Sequence, residues 1–186
     1  YSLQSYASEF RVSIVGPPNV GKSTIFNAIV GEAKALVSST RGTTRDSIDA
    51  LVKINENLSI TLTDIAGVWS SKNKLDRMGV EKTKTNIEKS NLLIVVDSSL
   101  PSSFFNKSFL KNKKTMRVLS KKDLHGIKSS KETLSICSKN KKDINILLTS
   151  LTKKIYFFYP FFNAGEALFT SRRQLVLMER ALSSLE

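Results

Sequence analysis

Residues 16–24 read Gly-Pro-Pro-Asn-Val-Gly-Lys-Ser-Thr, which sets Gly16, Gly21, Lys22 and Ser23 in the spacing G-x-x-x-x-G-K-[ST]. The chemistry of such a loop is phosphate binding. Its backbone N–H groups, those of Gly16, Asn19, Val20, Gly21, Lys22, Ser23 and Thr24, can surround an oxyanion without presenting a side-chain acid. Lys22 would reach the β- and γ-phosphates of a nucleoside triphosphate, and the Ser23 hydroxyl would ligate magnesium. A second cluster, Asp64-Ile65-Ala66-Gly67, supplies an acid for the magnesium shell and, at Gly67, an N–H for the γ-phosphate. A third, Ser120-Lys121-Lys122-Asp123, is the K-x-D part of the pattern N-K-x-D with serine in its first position. The Asp123 carboxylate can accept both the ring N–H and the exocyclic amine of guanine, a pair that adenine does not offer, while the Lys121 stem lies over the base. Serine at position 120 predicts weaker guanine affinity with the choice of guanine over adenine intact.

These residues need elements to hold them. The β-branched run Val12–Val15 predicts a strand entering the first loop, and Ile25, Phe26 and Ile29 predict a helix leaving it, with Gly31 as its C-terminal cap. Ala35 to Asp46 lacks periodicity and reads as a mobile loop. Ser47–Ile54 and Leu58–Thr63 alternate on either side of Asn55-Glu56-Asn57, a hairpin pattern. Downstream, a helix is expected over Met78–Lys89, and a fully buried strand over Asn91–Val96. A short helix is expected at Phe104–Leu110, strands at Met116–Leu119 and Thr133–Ile136, and a closing helix at Asp143–Lys154. Alternation of strands and helices with one hairpin predicts an α/β fold of the P-loop NTPase class, a Ras-like G domain whose mostly parallel six-stranded sheet is flanked by helices. Leu168, Leu175, Met178, Leu182 and Leu185 form a helical stripe that needs a partner. The expected division is therefore residues 1–10 as a linker or helix end, 11–158 as the nucleotide-binding domain, and 159–186 as a helical-domain segment.

The chain of 186 residues carries a net charge of +13, with lysine far ahead of arginine. The Lys107–Lys142 stretch is the most basic, yet Phe109 is its only large aromatic. A lysine-rich, arginine-poor face reads more readily as a solvated surface than as an RNA-reading one, though both remain open. The single cysteine, Cys137, excludes an internal disulfide and suits a reducing, cytoplasmic setting; it reads as a small buried side chain rather than a nucleophile. There is no signal-peptide pattern and no apolar run near the ~20 residues that span a bilayer, so no membrane association is expected. A first residue of tyrosine suggests a piece of a longer chain.

Beyond the phosphate and base motifs, Gly42-Thr43-Thr44-Arg45-Asp46, Leu75-Asp76-Arg77-Met78-Gly79-Val80-Glu81 and Arg172-Arg173-Gln174 leading into the leucine stripe carry a closer likeness. Together they resemble the tRNA-modifying GTPase family MnmE (TrmE), over nearly the whole chain. The Gly16–Ser23 block and Gly42–Asp46 are also shared with ribosome-assembly GTPases of the Era and Der type, whereas Leu75–Glu81 and the Arg172-Arg173-Gln174 tail point more narrowly to this family. The resemblance implies hydrolysis of GTP to GDP with magnesium, assisted by a potassium ion held by Asn19 and by backbone carbonyls of Ser38–Gly42. It also implies face-to-face homodimers of G domains in the GTP state. In the full-length protein it implies modification of the wobble uridine of tRNA with the flavin-dependent partner MnmG (GidA). Thr44, with Thr43 behind it, becomes the second protein ligand expected for magnesium. Val68 follows the D-x-x-G stretch, so no glutamine orients water there; the family's water-orienting acid falls at Asp76, whose other reading is an N-cap. Cys137-Ser138-Lys139 stands where the family's loop offers backbone N–H groups to the guanine oxygen. Trp69 reads as a packing or dimer contact, and His125 as a surface loop residue. Two other functions fit the residues: a G domain that binds guanine nucleotide without turnover, given Ser120 and Asp76, and an Era- or Der-type ribosome-assembly GTPase.

Overall fold

The computed structural model describes residues 10–33, 47–55, 58–65, 84–98, 110, 113–126 and 128–160. The expected ligands in the Ser38–Gly42 loop, Thr43, Thr44, Gly67, Val68, Trp69 and Asp76, the expected short helix before Leu110, the side chain of His125 and the leucine-striped segment all lie outside the described residues.

Six strands form one sheet: β1 (Arg11–Val15), β2 (Ser47–Lys53), β3 (Ser59–Ile65), β4 (Leu92–Asp97), β5 (Thr115–Leu119) and β6 (Thr133–Ser135). Their order is β2-β3-β1-β4-β5-β6. β2 runs antiparallel to β3 through the expected hairpin, and every other pairing is parallel. The helices are α1 (Lys22–Glu32), α2 (residues 84–89), α3 (Lys122–His125) and α4 (Lys141–Phe158).

The alternation along each strand explains the layers. Val12, Ile14, Leu92, Ile94 and Val96 share one core with Ile25, Phe26 and Ile29 of α1 and Ile144, Leu147, Leu151 and Ile155 of α4. Val15, Leu93 and Val95 belong to a second core with Ile87 of α2. β4 is thus covered on both faces, which is why its sequence is uninterrupted aliphatic rather than alternating. Each such aliphatic side chain contributes about 1.5–3 kcal/mol by leaving water.

Three expectations shift at the helix ends. Gly31 lies inside α1 rather than capping it; Ala33, in extended conformation, is the cap, and its N–H bonds the Ile29 carbonyl. With Ala33 buried beyond Ile29, the cap falls two residues later than the glycine signal suggests. α4 starts at Lys141, because the Asn140 side chain accepts the Lys142 N–H at 2.9 Å, and it continues to Phe158. Tyr159, placed by sequence in the helical segment, is buried: its ring meets Phe10 edge-on and its hydroxyl donates to the Asn91 carbonyl at 3.0 Å. Among the described residues, no helix is long and apolar enough to cross a membrane.

Candidate functional site

β1 is central, and the chain leaves it first toward β3 and later toward β4. The crevice beyond its carboxyl end is therefore a topological switch point, where open α/β sheets take ligands. The phosphate loop fills this crevice. Gly16 ends β1 against β4, where a Cβ would lie 2.2 Å from the Val96 carbonyl oxygen; only glycine lets the two backbones approach so closely. Gly21 takes φ 95° as the N-cap of α1, with no side-chain cap and no acid in the first turn. No acid of α1 itself offsets the positive end of the helix beside the loop, an arrangement that favours an anion.

Lys22 begins α1 and is 7% exposed. Its ammonium donates to the Pro17 carbonyl at 2.8 Å across the loop. Burial pulls its pKa below the usual lysine value, and the nearby Asp64 charge works against that shift. One residue on, the Ser23 hydroxyl donates to Asp64 Oδ2 at 2.5 Å, joining α1 to β3 across 41 residues of chain. Asp64 Oδ1 is buried and has no hydrogen-bond partner among the described residues. An orphaned carboxylate oxygen beside a hydroxyl is a hard oxygen donor set, which suits magnesium. Ser23 and Asp64 thus fit the ion expected from the sequence. No cluster of His, Cys, Asp and Glu suited to a metal occurs among the described residues, so a metal here would lean on hydroxyl, carboxylate and ligand oxygens.

The base loop follows β5 and is fastened directly to the phosphate loop. The Ser120 hydroxyl donates to the Val20 carbonyl at 2.5 Å, with the Asp97 carbonyl 3.2 Å away. Lys121 Nζ donates to the Asn19 carbonyl at 2.9 Å. Asn19 (φ 62°) and Lys121 (φ 57°) are the only non-glycine residues with positive φ among those described. That conformation costs about 1–2 kcal/mol per residue, and here both instances fall at the two ends of one hydrogen bond. Ser120 is 3% exposed, so its side chain acts as a tie within the protein rather than as a reader of a base. The Lys121 stem likewise ends on the phosphate loop.

Asp123 sits in the first turn of α3, exposed, with no hydrogen bond or ion pair among the described residues. It is free to accept from a ligand. The last expected segment, Cys137-Ser138-Lys139, needs adjustment. Cys137 is half-buried rather than buried, and its N–H is already taken by Asp143 Oδ2 at 2.8 Å. Only the Ser138 and Lys139 N–H groups remain as donors toward a base. Asp143 itself was missed by the motif reading, which saw in it no more than the start of the closing helix. A separate cleft of about 580 Å³ lies between β5, β6 and the end of α4, beside Arg117, Glu132, Lys154 and Phe157. None of the expected site residues lines it.

Residues 11–150 match a family model described as 50S ribosome-binding GTPase. The chain is similar to the tRNA modification GTPase MnmE of Ureaplasma parvum, 34% identical over 91% of this chain and 38% of that protein. It is also similar to that of Mycoplasma genitalium, 35% identical over 99% of this chain and 41% of that protein. It therefore spans about two fifths of the length of the curated relatives it matches. Among solved structures, an Era variant from Aquifex aeolicus bound to GDP and aluminium fluoride superposes with a TM-score of 0.61 at 24% identity, covering 77% of this chain and 56% of that one. The FeoB G domain of Methanococcus jannaschii gives a TM-score of 0.57 at 19% identity, over 80% of this chain and 98% of that one. At these identities the solved structures establish the P-loop GTPase fold alone.

Proposed function

The chain belongs to the P-loop GTPase family that its residues 11–150 match, as a G domain of the MnmE type, and from that premise we propose that it binds GTP with magnesium and hydrolyses it to GDP and phosphate. The observation that carries the proposal is the double tie between the two loops, Ser120 to Val20 and Lys121 to Asn19. It sets a phosphate-binding backbone and a free base-reading carboxylate at a fixed separation, as one nucleotide requires.

The roles follow from the positions. The N–H groups of Gly16 and of Asn19–Thr24 and the Lys22 ammonium hold the phosphates, the β–γ bridge in particular. Ser23 and Asp64, with Thr44 as the further expected ligand, would hold magnesium, which when bound offsets charge on the β- and γ-phosphates. Asp123 and the Ser138 and Lys139 N–H groups read guanine. Gly67 is assigned to the γ-phosphate. Asp76 is assigned to orient the water that attacks the γ-phosphorus as the bridging oxygen departs with GDP. Asn19 and the carbonyls of Ser38–Gly42 are assigned to a potassium ion, whose fixed charge suits the negative charge developing at the bridge. In a longer protein of this type, two G domains would meet face to face, and turnover would serve tRNA wobble-uridine modification together with MnmG.

The cation assignment has its own test. Single-turnover GTP hydrolysis should run about tenfold or more faster in potassium chloride than in sodium chloride, and Asn19→Ala should remove the difference. Equal rates in the two salts would take potassium out of the mechanism.

A further inference from the structure

Asp143 opens the first turn of α4 and is 6% exposed although it is ionisable. Its carboxylate gathers partners from two loops. Oδ2 accepts the Cys137 N–H at 2.8 Å. Lys122 Nζ donates to Oδ1 at 3.2 Å and reaches Oδ2 at 3.4 Å. Lys122 adjoins Asp123, the acid assigned to the base, and Cys137 adjoins the two N–H groups assigned to it. A backbone bond from Lys122 N–H to the Ile136 carbonyl, 3.1 Å, runs in the same direction.

A buried carboxylate is costly unless it is fully paired. This one is met by an ammonium, a backbone N–H and the positive end of α4. Packing alone gives no reason for a charge here, since the next buried positions of α4 are Ile144, Leu147 and Leu151. The pairing does something packing cannot: it joins the acceptor half of the base site to its donor half.

We propose that Asp143 is a positioning residue for guanine selection, a clamp that fixes the Asp123 loop against the 137–139 loop. Guanine presents a ring N–H and an amine on one edge and a carbonyl oxygen beside them. Reading all three requires the Asp123 carboxylate and the Ser138 and Lys139 N–H groups at a set spacing. By taking the Cys137 N–H for itself, Asp143 also fixes which donors of that loop turn outward. The inference rests on the guanine-nucleotide reading above and assigns to this chain a selectivity element outside its K-x-D residues.

The test is equilibrium binding of GDP and of ADP to the full chain, with melting temperatures recorded alongside. The two nucleotides share phosphate and ribose contacts, so a general loss of structure moves both, whereas the clamp acts on the base alone. Asp143→Ala should lower the GDP-over-ADP affinity ratio about tenfold, with ADP binding unchanged. Asp143→Asn is nearly isosteric and keeps an acceptor for Cys137 while losing the charge that fixes Lys122; it should lower the ratio about threefold. A ratio unchanged in both variants overturns the clamp, and if the alanine variant does not fold, an unchanged ratio in the asparagine variant does so alone. A parent protein that binds GDP and ADP equally would instead overturn the guanine reading itself.

Discussion

Replacing Lys22 with alanine should slow single-turnover GTP hydrolysis by about 10²–10³-fold and raise the GTP dissociation constant by about tenfold to a hundredfold. The two figures differ because a cation aimed at the β–γ bridge gains most where charge develops, in the transition state. The ammonium is well prepared for that role. It is buried at the start of α1, burial disfavours its charge there, and among the described residues the Pro17 carbonyl is its hydrogen-bond partner. Phosphate oxygens would add negative charge and acceptors beyond the nearby Asp64 carboxylate. The same facts predict little damage to the fold. Removing Lys22 gives up one hydrogen bond but also relieves a desolvated cation, so stability should stay within about 1 kcal/mol of the parent. Chemical denaturation measured beside the kinetics separates the two effects. A large drop in stability with unimpaired hydrolysis would make Lys22 a structural residue.

The second large effect is expected at Asp123. Asp123→Asn replaces one of two acceptors with a donor, which faces the amine of guanine donor to donor while the remaining oxygen can still accept the ring N–H. The GTP-over-ATP preference should fall by about a hundredfold or more, because a donor set against a donor is worse than a lost contact. Affinity for a xanthosine nucleotide, which carries a carbonyl where guanine has its amine, should rise in the same variant. Competition binding against a fluorescent guanine nucleotide measures all three. Asp123 is exposed and unpaired among the described residues, so its replacement leaves the protein's own contacts alone. An unchanged preference would mean that the base is read elsewhere.

The elements that place these residues were largely legible in the sequence, because their signals are local. The aliphatic run of β1, the loop glycines and the spacing of Ile25, Phe26 and Ile29 lie within one short stretch, and each follows from a period or a backbone constraint. The uninterrupted β4 announced a strand covered on both faces. What escaped is long-range. Ser120 read as a weakened guanine contact, whereas its hydroxyl reaches across 100 residues to the Val20 carbonyl. Nothing near position 120 encodes that partner. Asp143 looked like an ordinary first-turn acid, and its bond to the Lys122 side chain exists only once β5 and β6 bring the two loops together. Gly31 misled in the other direction: glycine is a good cap signal, yet burial of Ile29 and Ala33 decides where α1 stops. Tyr159 joined the core through Phe10 and Asn91, contacts that a boundary drawn after residue 158 conceals.

The tie from Ser120 also changes what position 120 implies for function. A serine there need not signal a decaying site, since the hydroxyl already holds the base loop to the phosphate loop from within the protein. Turnover then depends on the phosphate side, where Lys22, Ser23 and Asp64 meet. The most direct measurement is phosphate release from GTP and from ATP, each with magnesium and potassium present and protein in excess over nucleotide. The account predicts a single phase of phosphate release with GTP, abolished by chelating magnesium, and none above background with ATP. GTP that stays bound and uncleaved through many hours would contradict it and make the chain a guanine-nucleotide-binding module.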